Sequence, residues 1–524
     1  MSIVSSSTEK LVRRFKGFIP TKSDEPSSTI HVDYIASKVA SFYEKIRKIL
    51  DYQEEHLFRK NAIDRILKRR LFIQQNSKNE IAYPLICELI RAGYLPNDAI
   101  PENKIEKVGL IIDKYLLLLD ASAEINALQK EEILNWLISL ASCEIEEKLA
   151  PPFKDEALSD YMYEVISEKI VLKNINFSQE EKETQIFIAV QKALLRADQA
   201  LLSYRLVKWH YPEWTNPSQE FLSQMIPQLE SLKEAVFKEI SHPLGPKFFQ
   251  ITNRYNTPFL VLGDALLNNP DLVLQPEKLE GEITKAYQER YQHSKNKLRR
   301  AAIYSTASLF VTKILLALAI EVPFDLYVTH QLIPLNLSIN IIFPPFLMFL
   351  IIMTIKPPAE TNAQRVILEV MKIVYQNKKE ETYEIKASTK KGWFLRGAIN
   401  LFYLISFLIS FGLIIWGLTK LNFSWLSIII FLVFISLICF TGLKIRQQSK
   451  ELSVEKEKET GWLFIIDLFA LPLVRVGQWL SRQWAKFNIL IVVFNLILEV
   501  PFQIFVEFLE NWHRFLKEKK EEIQ

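Results

Sequence analysis

The sequence predicts an all-α protein: a cytosolic helical bundle followed by a polytopic transmembrane helix domain. Three observations predict it. Four apolar stretches lie between Ala301 and Ile445, and the runs Leu326 to Ile355, Gly397 to Thr419 and Leu421 to Leu443 carry no formal charge. A bilayer core of about 30 Å needs about 20 apolar helical residues, so each run is long enough to cross. Only 13 glycines occur in 524 residues, which is sparse for sheets joined by tight turns or for phosphate-cradling loops. Before residue 300, apolar residues recur at helical rather than alternating spacing.

Residues 1–30 read as a flexible basic lead-in. They contain no apolar core ahead of a small-residue cleavage site, so no secretory signal is expected, and Pro26 interrupts the polar stretch from Thr21 to Ser28. Residues 31–295 read as a cytosolic all-helical domain. From His31 to Ile73 the apolar set Ile35, Val39, Phe42, Tyr43, Ile46, Ile49 and Leu50 marks one helical face. Further helices are expected over Ile81–Ala92, Ile105–Leu119, Glu131–Lys148, Gln179–Lys208 with Ser178 as N-cap, and Phe221–Ile240. Pro151–Pro152 and the run His242-Pro243-Leu244-Gly245-Pro246 are the breaks. The charged stretch Glu277 to Arg300 leads directly into the first apolar run.

Residues 296–460 read as a transmembrane domain with spans at about 303–328, 335–355, 398–418 and 425–443. Lys295, Lys297, Arg299 and Arg300 precede the first span, and the loop from Lys356 to Arg396 is also rich in Lys and Arg. The link around His330 and the turn around Lys420 are poor in them. The positive-inside rule then puts residues 1–300 in the cytoplasm of a cell whose inner (plasma) membrane the chain crosses several times. Residues 461–524 read as amphipathic or half-inserted helices, because Gly461–Trp484 mixes Arg475, Arg482 and Asp467 with Trp462, Phe464, Phe469 and Trp479. A pair of further spans is the alternative.

One tetrapeptide occurs twice in apolar surroundings, Glu321-Val322-Pro323-Phe324 and Glu499-Val500-Pro501-Phe502. Proline cannot donate to the carbonyl four residues back, and in lipid a freed carbonyl needs another partner. A carboxyl beside that broken turn makes a candidate polar site of Lys313, Glu321, Pro323 and Asp325 on one helix and Asn495, Glu499, Pro501 and Gln503 on the other. Such groups usually face a bundle interior. They serve a proton or cation pathway on one reading and helix packing on the other.

Charge and motifs narrow the function classes. Residues 1–300 hold 41 Lys and Arg against 42 Asp and Glu, leaving 23 and 18 for the remainder. That balance does not point to nucleic acid. The basic start suits anionic lipid headgroups. Cys87, Cys143 and Cys439 are too far apart to suggest a zinc site or a disulfide framework. No phosphate-loop, dinucleotide, zinc-protease or nucleophile-elbow motif is present, so no catalytic, cofactor-binding or metal-ligating residue is assigned. The aromatic run Trp209-His210-Tyr211-Pro212-Glu213-Trp214 reads as a packed corner. The leading expectation is a membrane-anchored scaffold or assembly protein whose cytosolic domain binds a protein partner. The alternatives are a small transporter or proton- or cation-coupled protein using the two glutamates, and a membrane enzyme acting on lipid.

Overall fold

A computed structural model describes residues 4–18, 28–32, 55–72, 81–121, 127–173, 177–267, 269–328, 330, 333–355, 361–375, 382–386, 393–449 and 461–486, with six single positions between 505 and 519. Helix dominates it, and the chain divides into two compact units. Unit 1 comprises residues up to Pro276 together with 371–386 and the described positions beyond 494, and unit 2 comprises 277–370 and 387–494.

Unit 1 begins with α1 (Ser6–Phe18) and continues through α2 (Glu55–Phe72), α3 (Ala82–Arg91), α4 (Asn103–Ala121), α5 (Ala127–Leu149) and α6 (Phe153–Lys169). The strand β1 (Ile170–Lys173) follows, then α7 (Gln179–Leu194), α8 (Gln199–His210), α9 (Gln219–Met225), α10 (Leu229–Ile240), α11 (Gly245–Thr252) and α12 (Asn256–Leu266). Helix α5 is the hub, packed against α2, α4 and α8. Its Ile133, Leu137, Leu140 and Ile145 are fully enclosed.

The opening segment is a helix rather than a flexible lead-in. Leu11 and Phe15, four residues apart on one face of α1, are buried, and α1 packs on α6. Lys10 pairs with Glu164 at 2.9 Å and Arg14 pairs with Asp160. Its basic charge meets acids of this chain, a match invisible while the partner helix was unknown. The single helix expected over Gln179–Lys208 is two. Arg196 turns to φ 49°, and the Asp198 carboxylate accepts the Leu201 N–H at 2.9 Å to start α8. Ser178 caps α7 as expected, exchanging hydrogen bonds with Glu181 in a capping box. Of the helix expected over His31–Ile73, residues 33–54 lie outside the described residues.

Unit 2 opens with α13 (Pro276–Leu316), a continuous helix of 41 residues that begins at the unit boundary. A single π turn (Ala317–Glu321) joins it to α14 (Val322–Tyr327), and α15 (Pro334–Thr354) returns. Helix α16 (Thr361–Tyr375) leads back into unit 1, where β2 (Tyr383–Lys386) pairs in parallel with β1, Ile170 opposite Tyr383. Part of the stretch expected as a loop between spans therefore completes unit 1. Ser5 N–H and the Tyr161 hydroxyl donate to the carbonyls of Val374 and Ile373, both at 3.3 Å, and Ile385 is buried.

Helices α17 (Trp393–Lys420), α18 (Trp425–Ser449) and α19 (Gly461–Lys486) complete unit 2. Four helical stretches, Pro276–Tyr327, Pro334–Thr354, Gly397–Lys420 and Trp425–Gln447, are long and apolar enough to cross a membrane. Helix α19, in the stretch read as amphipathic or half-inserted, has partners within unit 2. It packs along α18 and α17, and Pro472 explains how. Lacking an N–H, Pro472 leaves the Leu468 carbonyl open, and Ser406 of α17 donates to it at 3.1 Å while Ser410 donates to the Phe469 carbonyl at 2.8 Å. Gly477 meets α18 so closely that a Cβ there would overlap the Ser436 carbonyl.

Candidate functional site

The polar cluster of unit 2 is assembled by the π turn. In a regular α-helix, residues eight apart sit about 80° past two full turns, so Lys313 and Glu321 would diverge. A π turn carries one extra residue, and here the Val322 N–H bonds the Ala317 carbonyl five residues back. The pair is then phased as if seven apart, close to two turns. Pro323 follows immediately. It brings no N–H to the carbonyl four residues back, so the mismatch is absorbed where the helix is already weakened.

The result is a closed ion pair. Lys313 Nζ lies 2.6 Å from Glu321 Oε1, and the two side chains are 0% and 1% exposed. Asn340 of α15 donates its Nδ2 hydrogen to Glu321 Oε2, and the Lys313 ammonium sits 4.9 Å from the centre of the Phe434 ring of α18. Three helices thus meet around one ion pair. Truncating one partner of such a buried pair typically costs about 3–5 kcal/mol, because the other charge is left uncompensated.

Beside the pair is a cavity of about 330 Å³, bordered among others by Glu321, Asp325, Asn336, Asn340, Asn422 and Ser427. It lies where α14 ends, α15 begins and α17 turns into α18. Asn340 is 1% exposed, and its Oδ1 has no hydrogen-bond partner among the described residues.

The structure therefore brings Lys313 and Glu321 together and sets Asp325, one turn on, at the same cavity, while Pro323 shapes the backbone. Asn495, Glu499, Pro501 and Gln503 lie outside the described residues. Asn340 escaped the sequence reading because an uncharged amide leaves an apolar run uninterrupted. The available signal was the spacing of Asn336 and Asn340, four apart on one helical face.

Unit 1 contains a second concavity, a cleft of about 910 Å³. Trp209 stacks on Phe187 with ring centres 4.4 Å apart, and Phe153 stands half exposed nearby. In the cleft, Gln191 donates to Ser159 at 2.7 Å, and Arg205 pairs with Glu156 at 3.1 Å. Gln191 Oε1 and Arg205 Nε are both buried without a hydrogen-bond partner among the described residues. The aromatic run from Trp209 thus divides its work. Trp214 is packed inside and donates to the Tyr115 hydroxyl at 2.9 Å, whereas Trp209 and Pro212 line the cleft.

Comparison with known proteins gives no match to any family model, curated protein or solved structure. The class is defined by the fold itself: an all-α chain that joins a helical unit to a unit with four helices fit to span a membrane.

Proposed function

We propose that the chain is a multi-pass protein of the inner (plasma) membrane with unit 1 in the cytoplasm, acting as a membrane-anchored scaffold whose helical unit binds a protein partner. The observation that carries this reading is the return of residues 371–386 to unit 1 between the second and third apolar helices. A segment completing the same core must lie on the same side of the bilayer as residues up to 276. The first two apolar helices then go out and come back. Unit 1 is stitched to the membrane part at several points along the chain instead of hanging from one tether, which suits a platform.

The surface chemistry of unit 2 supports the membrane part of the proposal. Leu315, Leu408 and Trp416 are 62%, 60% and 63% exposed, while Lys313, Glu321, Asn340 and Ser436 are inside. Water as solvent selects the opposite arrangement, and lipid selects this one. The partner-binding part is supported by the cleft beside Trp209, whose size falls in the range of ligand sites and whose buried Gln191 acceptor and Arg205 donor match a peptide group.

The test is a photo-crosslinking amino acid at position 209 in living cells, with position 83, on exposed Tyr83, as control. A discrete adduct at 209, absent at 83 and lost on Gln191→Leu, is expected. Identical patterns at both positions would refute a partner site in the cleft.

A further inference from the structure

We infer that the cavity beside Glu321 is a binding site for a single alkali-metal cation, held by the Asn340 Oδ1 and Glu321 carboxylate oxygens and closed by Asp325 and the hydroxyls around it. The inference stands apart from the scaffold proposal, since it concerns unit 2 alone.

The orphaned Asn340 oxygen is the first ground. The same amide spends a hydrogen on Glu321, which fixes the group beside that carboxylate and leaves Oδ1 without a donor among the described residues. A buried amide oxygen without a donor costs about 1–3 kcal/mol, a cost relieved by an occupant of the cavity that this oxygen ligates. The second ground is the wall itself. Among the described residues its polar members, Glu321, Asp325, Asn336, Asn340, Thr419, Asn422, Ser424 and Ser427, include two carboxyls and no Lys, Arg or His. Hard oxygen donors of this kind take hard cations rather than the soft ones that thiolates and imidazoles select.

Charge and space decide which hard cation. Divalent sites engage carboxylates directly and strongly, but Glu321 is already committed to Lys313 at 2.6 Å and to Asn340. A monovalent ion asks less of a carboxylate so engaged. The volume of about 330 Å³ has room for roughly ten waters at about 30 Å³ each, enough for an ion that keeps part of its hydration shell. The π turn supplies the geometry, since only its extra residue swings the Glu321 carboxylate to the junction of cavity and lysine.

The test uses the purified full-length protein and its unfolding temperature in NaCl, KCl or choline chloride at constant ionic strength, with CaCl2 as a separate series. A saturable rise with Na⁺ or K⁺, absent in choline, is expected. Asn340→Ala should move its midpoint to cation concentrations at least about tenfold higher, the loss of one charge-assisted contact. If Asn340→Ala fails to fold, Ser427→Ala together with Asp325→Asn at the cavity wall must weaken the response instead. An identical response to all three monovalent chlorides, a larger response to Ca²⁺, or an unchanged midpoint in the variants overturns the inference. None of these outcomes bears on partner crosslinking at position 209.

Discussion

Replacing Lys114 by Met isolates the energetics of the buried polar network beneath Trp214. Lys114 Nζ lies 2.6 and 2.7 Å from the two Glu144 oxygens and 2.9 Å from the Trp214 carbonyl, and the Tyr115 hydroxyl donates to Glu144 at 2.8 Å. At an effective dielectric of about 20 the attraction at 2.6 Å is about 6 kcal/mol, and desolvation of both charges offsets much of it. Burial pushes the Glu144 carboxyl up and the Lys114 ammonium down, each partner pulling the other back. Removing the lysine leaves a buried carboxylate and an orphaned carbonyl, so a loss of about 3–5 kcal/mol is expected. The carboxyl escapes part of that cost by taking a proton. A carboxyl whose folded pKa lies above its unfolded one binds more protons folded than unfolded between the two values, so stability falls as pH rises through that window. Loss of the lysine extends the window upward. The penalty should therefore be small near the unfolded carboxyl pKa and grow with pH by up to about 1.4 kcal/mol per unit. Amide hydrogen exchange of peptides from α4 and α5, corrected for the intrinsic pH dependence of the chemistry, reads this as roughly 10²- to 10³-fold faster exchange at high pH. Glu144→Gln in the same chain should restore most of the protection. A change below about tenfold, or one independent of pH, would refute the desolvated-pair reasoning.

Two further outcomes test unit 2 and its placement. Gly477→Ala should lower the unfolding temperature, because its Cβ would press on the Ser436 backbone and overpacking costs about 1–3 kcal/mol, whereas Gly412→Ala, with open space around its Cβ, should be neutral or stabilising; equal effects would mean that α19 does not pack on α18. A cysteine at the exposed position 421 should react with an impermeant thiol reagent added to intact cells, and one at 384 should not; Cys87 and Cys143 are buried, and the half-buried Cys439 is replaced by Ser to remove its background. Labelling at 384 would reverse the orientation.

The sequence by itself determined the helical class and the four apolar stretches, because helical periodicity and charge-free length are local properties that one strand of text displays. It also marked Lys313, Glu321, Pro323 and Asp325, since charge and proline are conspicuous in an apolar run. Local pattern could not show that α1 has acids waiting on α6, that residues 371–386 belong to the unit they left at Pro276, or that Ser406 and Ser410 serve the carbonyls around Pro472. Each of those facts joins residues distant along the chain, and their energies exist only once the partners are brought together. The Lys313–Glu321 contact falls between the two cases. Both residues were visible within about a quarter of the helix circumference, and the π turn, with Asn340 from the neighbouring helix, closes the pair. Composition decides which groups must avoid lipid; tertiary structure decides which of them meet.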